Sequence, residues 1–189
     1  MTNDKAREAF QLDIVSQGWI MEGEDQALDM CSHGSIRAVI DGTVVSSTEA
    51  EYGISQSALV LLRTIDQDHS GGWSALGETL LCHGCGYPFS FGCGNFGTDW
   101  TVEHAGDDVL LYGARHHDAS RGGISHEVRV RLPREGYAHE VVTFARAARD
   151  FYMAAEPRRV PEDELAFHRE FWREFDDRLE QSSRDIRAR

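Results

Sequence analysis

Lysine is nearly missing from this chain: Lys5 is the only one among 19 basic residues. A Schiff-base lysine or a phosphate-binding Walker lysine is thereby excluded, because Lys5 stands in neither context. Long apolar runs are missing too. None approaches the roughly 18–20 residues that cross a bilayer. The stretch Met1-Thr2-Asn3-Asp4-Lys5 lacks the basic-then-apolar layout of a secretory leader, so the expected address is the cytosol. Cysteine is sparse, with only Cys31, Cys82, Cys85 and Cys93. Without an export signal, free thiols or metal ligands are expected in preference to disulfides. There is no Gly-x-Ser-x-Gly elbow, no His-Glu-x-x-His pair and no calcium-loop pattern. Repeats and low-complexity tracts are absent as well.

What is present in excess is negative charge. The net charge of −13 repels nucleic-acid phosphates and anionic membrane surfaces, which argues against either as a partner and favours a basic protein. The excess is uneven. Residues 1–52 carry ten acids against three bases, and Glu22, Glu24, Asp25 and Asp29 are the candidate partner-binding carboxylates. An apolar fraction of 41% over 189 residues is enough for one sizeable core, so 1–189 is expected to form one domain.

The periodicities place the elements. Ala6–Trp19 reads as a weak helix with Phe10 and Ile14 on one side. Ser35–Ser47 reads as a hairpin turning at Asp41-Gly42. Ser55 is the expected N-cap of a helix whose apolar face is Ala58, Leu61, Leu62 and Ile65. A second hairpin runs from Trp100 through Ala105-Gly106-Asp107-Asp108 to Tyr112, and His126, Val128, Val130 and Leu132 share one face of a further strand. Pro133 opens a helix with Tyr137, Val141, Phe144, Ala148 and Tyr152 as its buried stripe. Pro161 opens the final helix, about 161–186, along which Leu165, His168, Trp172, Phe175 and Leu179 recur at three- and four-residue steps. Hairpins followed by helices indicate an α+β fold, an antiparallel sheet covered by helices.

Several motifs bear on chemistry. In Leu81-Cys82-His83-Gly84-Cys85-Gly86 two cysteines separated by two residues resemble half of a zinc-knuckle site. Cys93 is the natural third ligand, and Cys31 or His33 the fourth. The alternative is that these are small apolar cysteines packed under a glycine-rich loop. A thioredoxin-type role is disfavoured, since Gly86-Tyr87-Pro88-Phe89 does not start a helix. Gly92-Cys93-Gly94-Asn95-Phe96-Gly97 matches GxGxxG in letters, but a strand pattern follows where a dinucleotide site needs a helix. His116-His117-Asp118 is read as part of a solvated loop, its adjacent histidines pointing apart. The rings of Phe167, Phe171, Trp172 and Phe175 either clamp the last helix to the sheet or mediate association.

Three readings remain. The favoured one is a non-enzymatic, acidic protein-binding domain that neutralises a basic partner, as an immunity or antitoxin protein does. The alternatives are a small enzyme, with Cys82, Cys85, His116 and His117 as the candidate residues, and a zinc-stabilised adaptor using Cys82, Cys85 and Cys93. No catalytic residue is assigned, and the only cofactor in view is structural zinc.

Overall fold

Alternation at period two decides the first element. In the computed structural model, which describes residues 8–47, 49–72, 79–83, 96–118 and 122–188, Phe10–Ile14 is a strand, β1, and not the helix expected there. Phe10 and Ile14 satisfy both a helical step of four and a strand step of two. Leu12 breaks the tie, because only an extended chain buries it beside Phe10. β1 runs antiparallel to β3 (Ile36–Ile40), pairing Phe10 with Ile40 and Ile14 with Ile36. On the outer face an Arg37 guanidinium N–H donates to Gln11 Oε1 at 3.0 Å. β3 returns through Asp41 and Gly42 into β4 (Thr43–Val44). Both turn residues have positive φ, 51° and 71°, the twist that a two-residue hairpin needs.

β2 (His33–Gly34) and β5 (Tyr52–Gly53) pair with each other and lead the chain into α1 (Ile54–Arg63). Every residue of α1 from Ile54 to Leu62 is buried. Such a helix needs neighbours on all sides. Ser55 is not its cap: the helix begins at Ile54, and Ser55 Oγ instead lies 3.2 Å from Ser32 Oγ. Gly53 stands in the cap position because β5 runs straight into the helix.

The larger sheet is a meander. β6 (Leu81–Cys82), β7 (Phe96–Ala105), β8 (Asp108–Asp118) and β9 (Ile124–Pro133) lie in that order, all antiparallel. The β7–β8 turn closes at Gly106-Asp107. Val128 and Leu132 of β9 point inward and Arg129 and Arg131 outward, as the alternation requires. Two helices follow, α2 (Arg134–Ala154) and α3 (Leu165–Arg187), the second entered through a short 3-10 turn at Glu162–Glu164. Tyr137, Val141, Phe144, Ala148 and Tyr152 are all buried, as their spacing predicts. On α3, Phe171, Trp172 and Phe175 are buried and Phe167 is exposed.

These elements enclose one contiguous apolar cluster. Its centre holds Trp100, Phe10 and Tyr137, with ring centroids 6.0 Å apart for Phe10–Trp100 and 5.1 Å for Phe10–Tyr137. The fold is therefore α+β with antiparallel sheets, as expected. Among the described residues no helix is long and apolar enough to cross a membrane.

Candidate functional site

The acidic segment that the sequence singles out is a protrusion tied back to the body by hydrogen bonds. It leaves the body where Gly18 and His33 exchange backbone hydrogen bonds of 2.8 and 2.9 Å. The two segments run very close here. A Cβ on Gly34 would sit 1.9 Å from the Ser16 carbonyl oxygen, so only glycine fits. The chain then forms a 3-10 helix over Gly23–Leu28. Asp29 secures it: this carboxylate is buried, and its Oδ2 accepts the Met21 N–H at 2.9 Å, drawing residues 21 and 29 together. From the other side, the Arg159 N–H donates to Ala27 O at 2.7 Å and Arg158 Nη1 to Gln26 O at 2.8 Å. Arg158 also stacks its guanidinium 4.0 Å from the Trp19 ring centroid, and Trp19 packs on Phe151 and Tyr152.

On this protrusion Ile20, Met21 and Leu28 are 55%, 43% and 40% exposed. Glu22 and Asp25 are exposed between them, with Asp25 3.8 Å from Arg159, and Glu24 belongs to the same 3-10 segment. Of the four candidate carboxylates, Asp29 is thus a brace inside the protrusion. Glu22 and Asp25 stand at its surface.

The cysteine region divides. Cys82 is fully buried on β6, where its N–H donates to Ser57 Oγ at 3.2 Å and its Sγ lies 3.9 Å from the same oxygen. Cys31 and His33 are buried near the start of α1, with Sγ and Nε2 3.3 Å apart. Burial pushes the His33 imidazole below its ordinary pKa. Cys85 and Cys93 lie outside the described residues. Among the described residues no group of three or more His, Cys, Asp or Glu is arranged to hold a metal ion. The strand β7 follows directly at Phe96, so no helix opens after the GxGxxG letters.

His116, His117 and Asp118 are not in a solvated loop. They end β8, paired with Thr98, Gly97 and Phe96 of β7, so the two segments meet in register. Hydrogen bonding to β7 extends this strand beyond what the polar letters suggest. His116 is buried and His117 takes the opposite side, as alternation demands. His116 Nδ1 lies 2.9 Å from Thr98 Oγ1, which lies 2.9 Å from the Tyr52 hydroxyl.

Two further polar clusters have no local signature in the sequence. Buried Asp99 accepts from His69 Nε2 at 2.8 Å, Gly72 N–H at 2.9 Å and Leu80 N–H at 3.2 Å. Three donors make this carboxylate a brace for the chain on either side of the segment 73–78. His168 Nε2 meets both the Tyr152 hydroxyl, at 2.8 Å, and Trp172 Nε1, at 3.2 Å. Comparison of the chain with protein-family models, with curated proteins and with solved structures finds no match.

Proposed function

We propose that the chain is a non-enzymatic, acidic protein-binding domain that docks a basic protein through the Trp19–Leu28 protrusion, as a toxin-neutralising immunity protein would. One observation carries the reading: Ile20, Met21 and Leu28 are exposed on the same braced segment that exposes Glu22 and Asp25. Protein interfaces combine an apolar centre with a polar rim, and here the rim carries Glu22 and Asp25 in a chain of net charge −13. The bracing by Asp29, Arg158 and Arg159 reduces the ordering cost of association. Nucleic acid and anionic membranes are disfavoured by the same charge.

The test is affinity capture from native cells at low salt, with the wild type and with a Glu22→Lys/Asp25→Lys variant. The expected result is a basic partner retained by the wild type, lost by the variant and released as salt screens the contact. Recovery of the same partner by the variant, or only salt-insensitive capture, would overturn the proposal. In binding kinetics the variant should slow association more than it speeds dissociation, because surface charge acts mainly on encounter.

A further inference from the structure

The chain has four methionines, of which Met1 lies outside the described residues. The other three differ in what can reach them. Met30 is 4% exposed, whereas Met21 is 43% and Met153 63% exposed. Met21 stands on the Trp19–Leu28 protrusion, between exposed Ile20 and exposed Glu22. The hydrogen bond of 2.9 Å from its backbone N–H to Asp29 Oδ2 brings residue 21 back to the end of the 3-10 segment, where Leu28 is exposed. Of the exposed apolar side chains gathered here, Ile20 and Leu28 are hydrocarbons. Met21 alone among them carries an oxidisable atom. Met153 lies on the last turn of α2 and is not part of the protrusion.

Access and charge select the oxidant. A thioether is oxidised by direct attack of its sulfur lone pair, so the sulfur must be reachable, as at Met21 and Met153 and not at Met30. The net charge of −13, with Glu22 and Asp25 exposed on the same segment as Met21, repels anionic oxidants and leaves neutral hydroperoxides unhindered. The sulfur attacks one peroxide oxygen, and the S–O bond forms as the O–O bond breaks. Sulfur gives up two electrons to the peroxide. The proton on the transferred oxygen passes to the departing one, which leaves as water or an alcohol. A dithiol-dependent sulfoxide reductase reverses the step: the dithiol supplies two electrons and two protons, becomes a disulfide, and the oxygen leaves as water.

Oxidation changes what the protrusion offers a partner. A flexible apolar thioether becomes a sulfoxide, whose oxygen is a polar hydrogen-bond acceptor. At the apolar centre of an interface that oxygen sheds water without gaining a donor, and its desolvation opposes docking. We propose that Met21 is a modification site: a neutral hydroperoxide converts it to the sulfoxide, and the sulfoxide releases the basic partner. The inference rests on the docking reading above. The step leaves net charge unchanged, so the encounter steered by Glu22 and Asp25 keeps its rate and dissociation quickens instead.

The experiment treats the purified full chain with hydrogen peroxide, removes the peroxide and maps the oxidised methionines by peptide mass spectrometry. Met21 and Met153 should each gain an oxygen in the folded protein, and Met30 only after unfolding in urea. The binding probe is the basic protein that the reduced chain retains at low salt. It should dissociate from the oxidised chain about tenfold faster or more, with association unchanged. Sulfoxide reductases acting on both epimers should restore the parent rate. Met21→Leu, which keeps the apolar bulk, should hold the probe before and after peroxide, and Met153→Leu should respond as the wild type does. Three results would overturn the proposal while the docking reading stands: a Met21 left unoxidised beside an oxidised Met153, a Met21 sulfoxide that binds as the thioether does, or a Met21→Leu chain still released by peroxide. If the reduced chain retains no basic protein, the docking reading fails first and this inference falls with it.

Discussion

Arg63, at the end of α1, holds Glu174 of α3 through two parallel hydrogen bonds, Nε–Oε1 at 2.8 Å and Nη2–Oε2 at 2.7 Å, across 111 residues of sequence. Arg178 adds a third contact at 2.8 Å from its own helix. Together these hold the Glu174 carboxyl at a pKa of about 2, well below the usual glutamate range. A depressed acid pKa stabilises the fold above the unfolded pKa, and that contribution is lost as pH falls toward about 2. Glu174→Gln should lower stability by about 1 kcal/mol near neutrality, a value kept small by the partial exposure of the pair. Urea melts of both proteins should converge as pH drops below the ordinary glutamate range. A constant difference down to pH 3 would refute the linkage.

His168 sets a second pH dependence. The Trp172 indole N–H can only donate, so His168 Nε2 must be bare and the ring neutral. Burial lowers its pKa first, and nearby Arg149 lowers it further. A depressed histidine pKa means that the unfolded chain takes up the proton first. Stability is therefore full above about pH 6.5 and declines as pH falls below it. His168→Gln, which can still accept from Trp172, should lose less stability than the wild type between pH 7 and 5. Chemical denaturation at the two pH values gives the comparison, and identical losses would show that His168 does not contribute.

Removing everything after residue 160 uncovers the surface on which Phe171, Trp172 and Phe175 pack, all three buried. Burying one such ring contributes about 1.5–3 kcal/mol against a total stability of about 5–15 kcal/mol. The 1–160 fragment should be insoluble, or lack a near-UV signal and a cooperative melt. A soluble fragment that unfolds cooperatively would make α3 peripheral.

Cys82→Ser should cost about 1–3 kcal/mol, because it places a hydroxyl where the thiol is fully buried. That is more than a serine in a half-exposed glycine loop would cost. Thermal melts should show the same loss with and without chelator. A loss that disappears in chelator, together with near-stoichiometric zinc in the untreated protein, would reassign Cys82 to a zinc site with Cys85 and Cys93.

The elements legible in the sequence were those whose period was unambiguous. Val128 and Leu132 announce a strand, Tyr137, Val141 and Phe144 a helix, and Asp41-Gly42 a hairpin turn. β1 is ambiguous in the letters because Phe10 and Ile14 fit two periods, and the extended form that buries Leu12 is held by pairing with β3, beyond the 3-10 helix and β2. The protrusion's acids were visible in the letters. Asp29's role as a brace was not, since it depends on a backbone N–H eight residues earlier. The Tyr52–Thr98–His116 chain was out of reach for the same reason: it joins three strands separated by 46 and 18 residues, and no local pattern marks it.

The complete enclosure of α1 sets an order of events at the ribosome. The β7–β8–β9 meander can pair as it emerges, because its partners are joined by short connections. α1 leaves the ribosome earlier than any of these strands, with apolar residues that need cover. Its last partner, α3, is synthesised after all of them. For most of translation a sticky helix is exposed without its cover, so nascent chains stalled before residue 171 should be the species that chaperones bind and that aggregate.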